Sequence, residues 1–67
     1  MNSAQLRKNT VETLGLLVER YPNLSIYQII SNAVDEYRAL ITDEELARGL
    51  NQLFVTYTQF EAAGIKP

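Results

Sequence analysis

Three helix-start signatures divide this chain of 67 residues. Each pairs a capping side chain with a Gln or Glu three positions on, and flanks the pair with apolar residues. In the second, the Ser25 hydroxyl is placed to accept from the backbone N–H of Gln28 while the Gln28 amide reaches back, and Leu24 is placed to pack on Ile29. This is a capping box with a hydrophobic staple. Thr42 and Glu45, with Ile41 and Leu46, repeat the pattern, and Asn2 and Gln5, with Met1 and Leu6, give a weaker version. A stop signal closes the series. Gly64 suits the left-handed position after a helix, Ile65 can then fold back on Phe60 in a Schellman arrangement, and Pro67 forbids continuation.

Hydrophobic spacing fills in the helices between these signals. In the first, expected over about 3–20, Leu6, Val11, Leu14, Leu17, Val18 and Tyr21 form one stripe, with Thr10 among them and Leu16 on the opposite side. Pro22 ends it. The second, over about 26–40, has the broadest apolar face: Ile26, Tyr27, Ile29, Ile30, Ala33, Val34, Tyr37, Leu40 and Ile41 cover an arc of roughly 160°, which calls for two neighbours. Gln28, Ser31, Asn32, Asp35, Glu36 and Arg38 form its polar side. In the third, over about 43–63, Leu46, Leu50, Leu53, Tyr57 and Phe60 alternate spacings of four and three, with Ala47 and Phe54 beside them. That heptad pattern is too short for a coiled coil and fits packing inside a bundle. The expectation is an all-α chain, a compact three-helix bundle in a single domain over 1–67 that ends at its stop signal. Gly15 and Gly49 fall inside helices, where glycine costs about 1 kcal/mol relative to alanine. Either a close helix crossing or simple tolerance at an exposed position accounts for each.

A domain of this size buries only about 60% of the surface its unfolded chain exposes. Small scaffolds compensate with disulfides, metals, regular packing or oligomerisation. The chain has no cysteine and no histidine, which leaves packing and self-association. No apolar run is long enough for a signal segment or a membrane span, so the expected location is the cytoplasm. The Asn23-Leu24-Ser25 match to a glycosylation acceptor is read as chance, with Ser25 serving as a cap.

Charge and chemistry narrow the function further. The formal net charge is −2 and the basic residues Arg7, Lys8, Arg20, Arg38, Arg48 and Lys66 are scattered, which disfavours nucleic acid as a partner. The acidic run Asp43, Glu44 and Glu45 occupies a first helical turn, where the helix dipole favours carboxylates. Neighbouring residues on a helix point in different directions, so the run is not a metal site. Without His or Cys, and with no glycine-rich phosphate loop or nucleophile elbow, neither an enzyme nor a cofactor binder is expected.

A small helical protein-interaction module remains. Six aromatic residues, Tyr21, Tyr27, Tyr37, Phe54, Tyr57 and Phe60, together with the off-stripe Leu16 and Val55, exceed what a small core obviously covers. The expected partner is a second copy of the chain, in a homodimer, or another protein for which the chain is an adaptor or inhibitor. The expected interface residues are Leu50, Leu53, Phe54, Tyr57 and Leu16. The alternative is a helix-turn-helix DNA-binding regulator that would present Gln28, Ser31, Asn32, Asp35 and Arg38 to base edges. The stretch from Tyr21 to Ala33, with the later Asp43-Glu44-Glu45-Leu46, resembles a pattern in short bacterial open reading frames; the resemblance implies no activity.

Overall fold

The cap at Ser25 forms as its sequence dictates. Its hydroxyl accepts from the N–H of Gln28 at 3.0 Å, and its own N–H donates to the Gln28 side-chain oxygen at 2.8 Å. Thr42 caps the last helix, its hydroxyl accepting from the N–H of Glu45 at 3.1 Å as Ser25 does from that of Gln28. The Glu45 carboxylate, however, accepts from that hydroxyl at 3.3 Å where Gln28 accepts from the Ser25 backbone N–H, so the expected box is only half formed. The computed structural model describes residues 3–34 and 41–67, and these hold the helices α1 Ser3–Arg20, α2 Ile26–Ala33 and α3 Asp43–Ala62. The weaker first box, on Met1 and Asn2, lies outside the described residues, as do Asp35, Glu36, Tyr37, Arg38 and Leu40. The fold is an all-α, compact three-helix bundle with a radius of gyration of 12.1 Å.

Both helix ends flanking the tight turns have a local cause. After Arg20 the N–H of Tyr21 still bonds to Leu17, and Leu24 then donates to the carbonyl of Tyr21 at 3.0 Å, closing a turn over Pro22 and Asn23. At the other end Ile65 donates to the carbonyl of Phe60 at 2.7 Å and Gly64 to that of Glu61 at 3.0 Å. With Gly64 at φ 78, these are the paired bonds of the Schellman motif.

α2 is shorter than the expected helix over 26–40. It stops at Ala33, and Val34 is extended at φ −132 and ψ 162 although its N–H still reaches the carbonyl of Ile30. The physical reason lies in α3. A Cβ built on Gly49 would stand 2.0 Å from the carbonyl oxygen of Ala33 and 3.4 Å from the Val34 side chain, so the end of α2 rests directly on the α3 backbone. Gly49 is a close crossing. Gly15 has nothing within 4 Å and is the tolerated, open glycine.

Two exposed ion pairs mark the relative direction of α1 and α3. Arg7 near the start of α1 meets Asp43 at the start of α3 at 3.6 Å, and Arg20 at the end of α1 meets Glu61 near the end of α3 at 3.2 Å. α1 and α3 therefore run parallel and make the most extensive contact between elements. α2 returns between them, covering one side of the pair. Leu17, Ile29 and Leu50, one from each helix, have no exposure, and Tyr21, Leu53 and Tyr57 join them as the buried apolar core among the described residues. Burying a leucine or isoleucine fully stabilises by about 1.5–3 kcal/mol. Thr10 joins them as a buried polar residue, its hydroxyl donating to the carbonyl of Leu6 at 2.7 Å. The apolar stripes are narrower than the spacing predicts. Val11 is 68% exposed because the inward line of α1 passes through Thr10, Leu17 and Tyr21, about 100° round the helix from it. Ile26 and Tyr27 likewise face outward on α2.

Candidate interaction surface

The heptad residues of α3 divide between inside and outside. Leu50, Leu53 and Tyr57, expected at an interface, lie in the core of the single chain, so their side chains are spent on folding. Phe54 is half-buried against that core, with the Arg20 guanidinium 5.8 Å from its ring centre. Leu16 is exposed, as its position off the stripe requires.

What remains outside forms a groove along the parallel α1–α3 pair. Thr13, Leu16, Asn51, Phe54 and Val55 line a volume of about 330 Å³ that is mainly apolar. Thr13 and Asn51 also border a smaller cavity of about 90 Å³, continued by Leu6, Asn9, Thr10 and Ala47. The two share Thr13 and Asn51 as a common border. Gly49, where α2 docks, lies on the opposite side of α3 from Ala47 and Asn51 by helical projection, so α2 leaves both open. Of the expected interface residues the structure brings Leu16 and Phe54 together here. Thr13 and Asn51 were not expected; their only signal is the parallel pairing of α1 with α3, which no local spacing reveals.

A second cluster, also unforeseen, closes the other end of the pair. Glu61 receives both guanidinium bonds of Arg20, each at 3.2 Å, and the hydroxyl of Tyr21 donates to the same carboxylate. The Tyr21 hydroxyl bond, then the Arg20 bonds, hold the Glu61 carboxyl below the usual carboxylate range. Burial, then the bond to Glu61, pushes the Tyr21 hydroxyl up. Tyr21 in turn meets Tyr57 edge-on, ring centres 5.0 Å apart at 76°. A cleft of about 510 Å³ opens beside the cluster, bordered by Asn23, Lys66 and Pro67. Its charged centre is satisfied from within the chain, which makes it a clasp between the ends of α1 and α3.

Two polar residues of α2 are also engaged. Gln28 belongs to the capping box, and the Asn32 amide donates to the Tyr57 hydroxyl at 3.0 Å. Among the described residues no group of His, Cys, Asp or Glu is arranged to hold a metal ion, and no helix is long and apolar enough to cross a membrane. No family model, curated protein or solved structure matches the chain.

Proposed function

We propose that this chain is a non-catalytic helical interaction module that pairs with a second copy of itself through the α1–α3 groove. The observation that carries the reading is the placement of Leu16 and Val55, 55% and 50% exposed, on the two lips of a groove walled by Phe54. A domain this small gains from covering such a surface, because its own core leaves it marginally stable. An isologous contact closes with a single two-fold axis and needs no other protein. The negative net charge and the internal commitments of Gln28 and Asn32 weigh against presentation of α2 to DNA.

Sedimentation equilibrium tests the reading. At tens of micromolar the wild type is expected at twice its 7.6 kDa chain mass. Leu16→Asp and Val55→Asp are expected at the single-chain mass with unchanged helical circular dichroism, since both side chains lie outside the core. A wild type that stays monomeric at millimolar concentration overturns the proposal.

A further inference from the structure

The lips of the groove carry charges of opposite order. On α1, Lys8, Glu12 and Leu16 follow one another at four-residue spacing and so share a ridge. On α3, Glu44 and Arg48 are four apart and Arg48 and Val55 seven apart, which again is one ridge. Thr13 and Asn51 face each other across the groove, and that register sets Lys8 within about half a turn of the level of Glu44, and Glu12 within about half a turn of Arg48. From the start of each helix the signs run plus then minus on α1, and minus then plus on α3. Among the described residues, the ion pairs Arg7 with Asp43 and Arg20 with Glu61 use none of these four. All four are exposed.

Two isologous arrangements can close the groove. An axis along the groove exchanges the α1 and α3 lips between copies and keeps every residue at its level, with all long helices parallel. An axis across the groove sets each helix against its own counterpart, antiparallel, and near the level of Thr13 brings the two Glu12 residues toward each other. The first pairs opposite charges on both sides; the second, with its axis at that level, brings the two Glu12 carboxylates together and leaves Lys8, Glu44 and Arg48 without an opposite charge facing them. Like charges placed across an interface reject an arrangement more effectively than rim pairs strengthen one.

We infer that the dimer is parallel, its two-fold axis lying along the α1–α3 groove, with Glu12 of each copy opposite Arg48 of the other and Lys8 opposite Glu44, while Leu16 meets Val55 between them. The inference rests on the self-association reading and adds its geometry. Every charge contact occurs twice in the dimer, so a single reversal counts twice.

Charge reversal tests it. At low salt, Glu12→Arg or Arg48→Glu alone is expected to weaken dimerisation about tenfold, a size set by two rim pairs that change from attractive to repulsive. The double variant Glu12→Arg/Arg48→Glu is expected to return to within about threefold of wild type. The single-variant losses should largely vanish near 0.5 M NaCl, where the screening length is only a few ångströms. Circular dichroism of each variant separates loss of pairing from loss of fold. A dimer that tolerates both single reversals at low salt, or a double variant weaker than either single one, overturns the parallel geometry while leaving self-association intact. A monomeric wild type removes both.

Discussion

The α-carbon of Gly49 lies so close to the carbonyl of Ala33 that a Cβ there would stand 2.0 Å from the oxygen, a distance no side chain tolerates. The obstruction is backbone, so α2 must move away as a unit or α3 must bend. Gly49→Ala is therefore expected to destabilise by about 1–3 kcal/mol despite the helix propensity it gains. Gly15→Ala meets open space and should stabilise by about 0.5–1 kcal/mol. Urea midpoints measure both, and shifts of the same sign would show that the crossing is not what Gly49 is for.

Caps give a second, independent check on the architecture. Ser25→Ala and Thr42→Ala each leave an N–H of the first turn without its side-chain partner. The expected cost is about 1 kcal/mol apiece. Because the two caps begin different helices and share no partner, the costs should add in the double variant. Thermal or urea unfolding of the three variants decides it.

Tyr57 serves the core with its ring and α2 with its hydroxyl. Tyr57→Phe keeps the edge-on contact with Tyr21 and loses only the bond from Asn32, which should cost about 0.5–1.5 kcal/mol. Tyr57→Ala removes the ring from a nearly closed site, and about 3–5 kcal/mol is the usual loss for an aromatic core residue. In a domain this small the second change should leave little folded protein at 25 °C, visible as lost helical signal.

The clasp at Glu61 predicts how stability depends on pH. The Tyr21 hydroxyl and then Arg20 lower its pKa in the folded state, so the ionised carboxylate stabilises the fold. That contribution is complete above the ordinary value near 4.5 and disappears as pH falls through the lowered one. For Tyr21 the sign is opposite. Its pKa is raised, so its contribution is complete below about 10.0 and is lost as pH rises beyond it. Melting temperatures of the wild type should fall on both flanks, whereas Glu61→Gln should melt lower at pH 7 and decline less between pH 5 and pH 3. Parallel acid limbs in the two proteins would remove Glu61 from this account.

Helix starts were legible because caps are local. Ser25 with Gln28, Thr42 with Glu45, and the Gly64 stop each depend on residues a few positions apart, and all form, the Thr42 box only by half. The end of α2 was not legible, since Ala33 stops against a glycine far along the chain and nothing near Val34 announces it. Burial was legible only in part. Spacing shows which side chains seek burial but not whether the chain's own helices supply it, and Leu50, Leu53 and Tyr57 found their cover at home. Leu16 and Val55 were identifiable as exposed because they fall off the stripes altogether. The groove between them and the Arg20–Glu61 clasp both depend on α1 and α3 running parallel, a relation between distant segments.

That parallel pairing also sets the order of events in folding. In an up-and-down bundle, neighbouring helices form hairpins early, so an incomplete chain already has something to pack. Here the principal contact joins the first helix to the last, and loop closure across the intervening residues precedes most of the gain in burial. While α3 is still being synthesised, Leu17 and Tyr21 have no Leu50 or Tyr57 to meet. The earlier part of the chain has only the smaller α1–α2 contact to form, and the larger share of burial waits for α3.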